Sequence, residues 1–334
     1  MTKRIKQFLA LAVFIWFGSN VVYAQLAKEV KSVSITVSDL DQSIKFFNDV
    51  LSFKTISIDT LQSQDLNDLF GVDYEGLKIK KGKMQIGNEY LELIEYMQPT
   101  KGREIPLDSK SNDLWFQHIA IVTNDMDKAY SVLKKHKVIH VSTMPQELPD
   151  YIPAAAGIKA FYFQDPDGHN LEVIYFPKDK GNPKWQTIKS DSPFIGIDHT
   201  AIGISDTDKS TDFYSDVIGL KVAGNSVNYG SEQEHLNQVF GAHLLITGLV
   251  AQKGFGVEFL QYIAPPGGRP YPKDSNVTDL WHWHTTIKVK NIEAIYDKLL
   301  EENAQFISKK MVTLNKLKQF MVRDVNGHAL LITQ

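Results

Sequence analysis

Two stretches of this chain carry the same chemically capable side chains at the same spacing. In each, an arginine is followed 12 residues later by a tryptophan and 15 residues later by a histidine. The residues are Arg103, Trp115 and His118 in the first stretch and Arg269, Trp281 and His284 in the second. An arginine can clamp a substrate carboxylate through two parallel N–H donors. The arginines and tryptophans are therefore candidate substrate-binding residues. The alternatives are a salt bridge to Asp113 or Asp279 for each arginine and packing in the core or at a rim for each tryptophan.

The sequence contains no cysteine. This excludes disulfides, thiolate metal sites, cysteine nucleophiles and a lipid anchor attached through cysteine. Any metal centre must therefore use histidine and carboxylate side chains.

The composition is that of a globular protein with a sizeable core, with 43% hydrophobic and 11% aromatic residues in 334. A net charge of -3 gives no case for binding nucleic acid or an anionic membrane surface. We interpret two lysine clusters, at residues 78–83 and 309–310, as solvated faces. The composition leaves homo-oligomer formation open.

The N-terminus has the three-part pattern of a secretory signal. Positive residues at 3–6 precede an apolar run at 8–17, and small residues at 22–24 offer a cleavage site. We predict a signal peptide over residues 1–24 and a mature protein that is periplasmic or secreted, with no stable membrane span. The alternative, an uncleaved anchor, is disfavoured by the shortness of the apolar run.

The two similar stretches are offset by 166 residues, which indicates duplicated domains. A segment rich in lysine and proline separates the copies. We predict a first domain at 26–177, a linker at 178–193 and a second domain at 194–334.

Each half divides again into two units. Four β-patterned runs end in a residue that can accept a hydrogen bond at a helix N-terminus, followed by an amphipathic helix. These residues are Asp39, Asp125, Asp206 and Asn291. Further strand patterns follow each helix, and turns of the Asp-Gly or Asn-Gly type occur at 165–169 and 324–328. The pattern predicts an α+β fold of four βαβββ units.

Four such units in two pairs resemble the vicinal oxygen chelate superfamily of glyoxalases, bleomycin resistance proteins and extradiol dioxygenases. The resemblance also rests on the helix positions Phe46-Phe47 and Phe213-Tyr214 and on the Asp-Pro-Asp-Gly-His turn at 165–169. It covers nearly the whole mature chain and implies two cupped mixed-sheet domains.

The resemblance also implies one metal ligand from the first strand and one from the last strand of each unit. The first-strand positions hold Ser32, His118, His199 and His284, and the last-strand positions hold Glu92, Glu172, Glu258 and Leu331. Taken by halves of the chain, the expected sets are Glu92, His118 and Glu172, and His199, Glu258 and His284. Such ligands suit Fe, Mn, Ni, Zn or Co as a divalent ion.

Each of these assignments has an alternative. Glu92 and Glu172 lie between apolar neighbours, and strand alternation could place them on a solvated face. Tyr96 and Tyr262 each fall four residues after a predicted glutamate ligand, where they could donate to a substrate oxygen or pack at the rim. We expect His169 and His328, in the two turns, to serve in hydrogen bonding or at the surface.

The resemblance implies a metal-dependent enzyme that binds two adjacent substrate oxygens. The leading hypothesis is a glyoxalase-like lyase or isomerase in which Glu92, Glu172 or Glu258 moves a proton. The second is an extradiol-type Fe(II) dioxygenase, which Leu331 disfavours because it occupies that class's carboxylate position. The third is a binding protein that sequesters a small molecule without turnover.

Overall fold

The computed structural model describes residues 26–72, 76–98 and 102–334. The predicted signal peptide, residues 1–24, lies outside the described residues. Within the described part of the chain, no helix is long and apolar enough to cross a membrane.

The described residues form eighteen strands and six α-helices, in the order of four repeated units. The strands are β1 (Ala27–Val37), β2 (Lys54–Leu61), β3 (Lys78–Ile86), β4 (Glu89–Gln98), β5 (Gln117–Thr123), β6 (Ile139–His140), β7 (Gln146–Glu147), β8 (Lys159–Gln164), β9 (Asn170–Tyr175), β10 (Phe194–Ile204), β11 (Lys221–Tyr229), β12 (His243–Val250), β13 (Lys253–Gly254), β14 (Gly256–Ala264), β15 (Trp283–Val289), β16 (Val312–Leu314), β17 (Leu317–Arg323) and β18 (Ala329–Thr333). The helices are α1 (Leu40–Asp49), α2 (Gln64–Leu69), α3 (Met126–Lys135), α4 (Thr207–Thr211), α5 (Ser231–Asn237) and α6 (Ile292–Glu301). A 3₁₀-helix covers Pro183–Gln186, and a π-helical turn at Asp212–Val217 continues α4.

The predicted helix starts are confirmed. In all four units the side chain before the helix accepts from a backbone N–H of the first turn, which satisfies a donor that would otherwise lack a partner. The capping residues are Asp39, Asp125, Asp206 and Asn291. Each cap therefore fixes the point at which a first strand ends and its helix begins.

The strands form two curled mixed sheets, which confirms the α+β class. One sheet has the order β16-β17-β18-β15-β1-β4-β3-β2, with β13 beside β1, and combines the first and fourth units. We call its concave side the terminal cup. The other has the order β11-β12-β14-β10-β5-β9-β8-β6, with β7 beside β8, and combines the second and third units. We call its concave side the central cup.

This pairing corrects the grouping of candidate ligands by halves of the chain. Unit two pairs with unit three through β5 and β10, and unit one pairs with unit four through β1 and β15. Each cup therefore takes one unit from each predicted domain, and both cups close within one chain. The boundaries 26–177, 178–193 and 194–334 stay a prediction about the repeats.

One large apolar cluster holds the two sheets and the helices together. Phe47 of α1 and Leu299 of α6 belong to it, as do Phe161 and Phe259 of the central sheet and Phe320 of the terminal sheet. All five side chains are fully buried. The helix-facing sides of both sheets thus share a core, which leaves the concave sides for the cups.

The chain crosses between the sheets twice, and ion pairs join the two crossing loops to each other. In the first loop, residues 102–116, the Arg103 guanidinium donates to Asp279 at 2.8 and 3.2 Å and to Asp274 at 3.0 Å. In the second, residues 265–282, Arg269 donates to Asp113 at 2.7 and 3.1 Å, with a further contact to Asp108. Each arginine is therefore bound in the opposite loop.

The tryptophans of the repeat complete this arrangement. Arg103 lies over the ring of Trp281 at 4.7 Å, and Arg269 lies over Trp115 at 4.5 Å. Each indole N–H donates to a serine of its own loop. The salt-bridge alternative is confirmed, with each arginine paired across the loops. The predicted substrate-binding role of these four residues is not supported, because their donors are used in holding the loops together.

Removing one arginine from the ion pairs between the crossing loops should destabilise the protein. Arg269→Ala leaves the Asp113 carboxylate, 2% exposed, with only backbone donors. We expect a loss of about 1–3 kcal/mol, the cost of a buried polar group that loses its partner. Thermal or urea unfolding measures the change. Lys209→Ala, which breaks an exposed pair with Asp206, is the control and should change stability by less than about 0.5 kcal/mol. Equal losses of unfolding free energy in the two variants would contradict the structural role of the ion pairs between the loops.

Candidate metal centre

Two histidines meet at the middle of the central cup. The antiparallel pairing of β5 with β10 sets His118 opposite Ala201 and His199 opposite Ala120. Small alanine side chains at the opposing positions leave room for both rings. The Nε2 atoms of His118 and His199 lie 3.3 Å apart, and both residues are buried.

Two glutamates flank this pair on the neighbouring strands. β9 runs parallel to β5 and carries Glu172, whose Oε2 lies 3.2 Å from His118 Nε2 and 3.5 Å from His199 Nε2. β14 runs parallel to β10 and carries Glu258, whose Oε1 lies 3.5 Å from His199 Nε2. Four predicted ligands, one from each of four adjacent strands, thus converge.

The donor set fits a divalent transition metal. Ligand atoms of His118, His199 and Glu258 all lie within 4.8 Å of one another, and Glu172 contacts both histidines. Two imidazole nitrogens and carboxylate oxygens suit Zn, Fe, Mn, Co or Ni. Two Nε2 atoms that face each other beside a carboxylate could direct their lone pairs at one ion when both rings are deprotonated at these atoms.

A second layer of contacts orients His199. Its Nδ1 lies 3.0 Å from Asp198 Oδ2, and the indole N–H of Trp185 donates to Asp198 Oδ1. A hydrogen bond at Nδ1 leaves the lone pair of Nε2 for a metal ion. Trp185 is buried and belongs to the 3₁₀-helix Pro183–Gln186. The predicted linker therefore contributes to the site.

The two carboxylates of the site differ in protonation behaviour. Burial would raise the pKa of Glu172, but hydrogen bonds and charge from His118 and His199 outweigh it and lower the pKa to about 2. Burial raises the pKa of Glu258, only partly offset by the same histidines. The Glu258 side chain is 23% exposed, whereas that of Glu172 is 6% exposed. Glu258 is thus the more accessible carboxylate and the better proton acceptor.

A cavity of about 490 Å³ opens onto the site. Glu172, His199 and Glu258 line it at one end. Its walls come from β11, β12 and α5 of the third unit and from residues 148–160 of the second unit. A cavity of this size fits a small organic molecule.

The terminal cup keeps only part of the predicted ligand set. His284 on β15 and Glu92 on β4 occupy the equivalent positions, but Ser32 and Leu331 stand at the other two. Glu92 is held by Lys81 at 3.2 Å and by the Ser34 hydroxyl at 3.1 Å. Leu66, Leu69 and Phe70 pack with Tyr96 and Met321 in an apolar cluster on this side of the sheet, and Phe70 contacts His284. Among the described residues, three or more histidine and carboxylate side chains come within ligating distance of one another in the central cup but not here.

Lys81 explains why Glu92 needs no metal ion. It lies opposite Ile94 on the adjacent strand, and the strand register puts Ile246 and Ala160 at the matching places in the central cup. Its ammonium supplies the positive charge that the metal would supply in the central cup. The interpretation of the lysine cluster at 78–83 as a solvated face is therefore wrong for Lys81.

The two predicted tyrosines are buried, and neither is among the residues that line the cavity of the central cup. Tyr96 has a buried hydroxyl without a hydrogen-bond partner among the described residues. The Tyr262 hydroxyl accepts from Asn237 at the base of the central cup. His169 and His328 are hydrogen-bonded as expected, to Asp165 and Leu280 and to the Gly203 carbonyl, but both are buried.

Residues that the sequence analysis missed form one wall of the cavity. The Ser226 hydroxyl donates to Asn228, Asn228 donates to Gln233, and Gln233 donates to Asn237. Asn228 lies at the end of β11, and Gln233 and Asn237 are four residues apart on α5. The sequence signal that could have found these residues is the run of asparagine and glutamine in this segment, which lies outside the repeated motifs.

Comparison with known proteins agrees with this architecture. The family described as the Glyoxalase/Bleomycin resistance protein/Dioxygenase superfamily matches residues 29–173 and 196–332. A curated relative, 2-epi-5-epi-valiolone epimerase from an Actinomyces species, is 30% identical over 155 residues, which span 45% of this chain and 81% of the relative. The crystal structure of glyoxalase I from Zea mays superposes with a TM-score of 0.59 at 16% identity, over 91% of each chain. This last likeness concerns the fold.

The purified mature protein should bind one divalent metal ion per chain, in the central cup. His118→Ala should strongly reduce the bound metal, because it deletes one of the two nitrogen ligands of the site. The matched control is Glu92→Gln, which changes the equivalent of Glu258 in the terminal cup and should leave the metal content unchanged. Elemental analysis after dialysis against Zn²⁺ or Mn²⁺ gives the stoichiometry. Two ions per chain, or loss of metal in Glu92→Gln, would contradict the assignment.

The terminal cup should make the protein sensitive to acid. Burial and the charge of Lys81, only partly opposed by Glu92, lower the pKa of His284 from 6.5 to about 4. The unfolded chain then binds more protons than the folded chain between these values, so stability falls as the pH drops from about 6.5 to about 4. The contribution is on the order of 3 kcal/mol.

His284→Leu should flatten this pH dependence, measured as unfolding free energy at several pH values. His136→Asn, at an exposed histidine, is the control and should keep the original slope. An unchanged slope in His284→Leu would show that His284 already takes up a proton in the folded protein.

Proposed function

This chain belongs to the Glyoxalase/Bleomycin resistance protein/Dioxygenase superfamily, and on that premise we propose that it is a metal-dependent isomerase or lyase that moves a proton next to a substrate carbonyl. The observation that carries the proposal is the convergence of His118, Glu172, His199 and Glu258 at the end of the cavity in the central cup. The terminal cup serves as a structural partner.

The metal ion would be held by these four residues and would act as a Lewis acid for two adjacent substrate oxygens. The protein's own part is to exchange the proton. Glu258 suits this task because it lines the cavity and its side chain is 23% exposed, compared with 6% for Glu172. Glu172 stays ionised through its contacts to both histidines and so holds the site's negative charge.

An isomerase needs a carboxylate that removes a proton from the substrate and returns it. Glu258 on β14 and Glu172 on β9 lie on opposite sides of the histidine pair, in the order β14-β10-β5-β9. Glu258 would carry the proton, while Glu172 keeps its contacts to both histidines. The relative named as an epimerase, an enzyme that inverts a stereocentre, supports the same reaction class.

The same geometry disfavours the dioxygenase alternative. Non-haem iron oxygenase sites use two histidines and one carboxylate and keep several positions open. The central cup brings a second carboxylate to the histidine pair, and both glutamates are within 3.5 Å of a ring nitrogen. The site thus resembles a proton-transfer centre more than an oxygen-binding one.

We further propose that the enzyme acts outside the cytoplasm, on the basis of the signal pattern at residues 1–24. That location argues against glutathione adducts, which form inside cells, as substrates. N-terminal sequencing of the protein recovered from the periplasm or medium of its host tests this, with Gln25 expected as the first residue.

The reaction class is tested by proton exchange in D₂O. Metal-loaded protein should exchange the hydrogens next to the carbonyl of dihydroxyacetone and related hydroxyketones, followed by ¹H NMR. Glu258→Gln should slow exchange by about 10²-fold or more, the usual contribution of a positioned proton acceptor. Glu92→Gln, the matched position in the terminal cup, should exchange at the original rate. Oxygen consumption with catechol after anaerobic Fe(II) loading, without proton exchange, would instead establish the dioxygenase alternative.

A further inference from the structure

The cavity of the central cup has one wall built from carboxamides. Asn228 and Gln233 line the cavity and are 4% and 1% exposed, and Ser226 stands beside them. Buried amides carry a desolvation cost unless their groups are hydrogen-bonded. A wall of this kind therefore requires partners for every donor and acceptor.

The hydrogen bonds within the wall leave part of this capacity open. Asn228 donates one amide hydrogen to Gln233 at 3.0 Å, and Gln233 donates one to Asn237. Each NH₂ group has a second hydrogen, and the Gln233 oxygen has a second lone pair. The chain of amides ends at the Tyr262 hydroxyl, so it is anchored at the base of the cup and its orientation is set from there.

Hydroxyl groups are the natural complement of this wall. A carboxamide offers a donor and an acceptor side by side, and each hydroxyl both donates and accepts. An apolar substrate would leave the second N–H of each amide without a partner, which disfavours its binding.

The charge of the cavity points the same way. Among the lining residues that the structure describes, the charged or titratable ones are Glu172, His199 and Glu258, all of the metal centre, and none is lysine or arginine. A phosphate or carboxylate on the substrate would find no cation at the amide wall. The arginines of the repeat cannot serve, because Arg103 and Arg269 are bound in the crossing loops.

The cavity also has apolar lining. Leu148, Ala155, Ile158 and Ile174 contribute to it. Two glycines widen the space: a side chain added at Gly224 would meet no atom within 4 Å, and one at Gly248 only a carbonyl oxygen at 4.0 Å. A molecule with C–H groups on one face and hydroxyls along another edge matches both walls.

We propose that the substrate is an uncharged, polyhydroxylated carbonyl compound, with its carbonyl end at the metal centre and its far hydroxyls on Asn228 and Gln233. This inference rests on the proposed function for the orientation of the carbonyl, but the composition of the wall carries the substrate class. Asn228 and Gln233 are specificity-determining residues in this arrangement.

Binding measurements with matched probes test the substrate class. Saturation-transfer NMR and calorimetry on the metal-loaded protein would compare fructose and myo-inositol, both uncharged polyols, with fructose 6-phosphate and cyclohexanone. We expect at least one polyol to bind about tenfold more tightly than either the phosphate ester or the apolar ketone. Equal or tighter binding of the phosphate ester or of cyclohexanone, or no binding of either polyol at millimolar concentration, would overturn the inference.

Variants locate the binding site. Asn228→Leu and Gln233→Leu should each weaken polyol binding about tenfold, and Gln252→Leu, at an exposed turn, should not. Gly248→Val fills the cavity without removing an amide and should also weaken binding. This variant tests the site even where the amide variants fail to fold. Unchanged binding in folded Asn228→Leu and Gly248→Val would refute the assignment.

The outcomes separate this inference from the proposed function. Metal content and proton exchange report on the metal centre, whereas the probe comparison reports on the wall. Polyol selectivity without proton exchange would retain the substrate class and reject the isomerase. Proton exchange with selectivity for the phosphate ester would retain the isomerase and reject the substrate class.

Discussion

The pairing of β5 with β10 is the contact on which the central site depends. Its register places two histidines face to face, and the parallel neighbours β9 and β14 then carry Glu172 and Glu258 to the same point. A shift of one residue would turn all of these side chains to the helix-covered face. Four ligands that are distant in the chain are thus positioned by backbone hydrogen bonds in a single sheet, with Asp198 and Trp185 adjusting the ring of His199.

The same framework in the terminal cup shows how a site can be lost while the fold is kept. Glu92 and His284 remain in register, but the positive charge comes from Lys81 and the space is filled by apolar side chains around Phe70. An ion pair and a packed cluster replace the ligands and the cavity. Because Lys81 neutralises Glu92, and burial together with the Lys81 charge disfavours a protonated His284, this cup stays intact at neutral pH without any ion.

The helix starts and the candidate ligands could be predicted from the sequence. The caps Asp39, Asp125, Asp206 and Asn291 follow from side-chain hydrogen bonding to the adjacent backbone, and the family register located His118, Glu172, His199 and Glu258. The pairing of units was not predictable, because all four first strands carry similar patterns and any two could pair. Which units pair depends on long-range contacts, among them the ion pairs of Arg103 and Arg269 between the crossing loops. The roles of Lys81 and Asn228 depend on strand register and helix position inside the first and third units, which residue type alone does not specify.

The closure of both cups within one polypeptide has an evolutionary consequence. In a symmetric homodimer, every substitution appears in two places at once, so a lysine that abolished one metal site would abolish its copy as well. Joining four units in one chain removes that constraint. One cup can accumulate changes that favour packing while the other keeps its ligands. Gene duplication can in this way produce one cup that stabilises the fold and one that holds the candidate metal ligands.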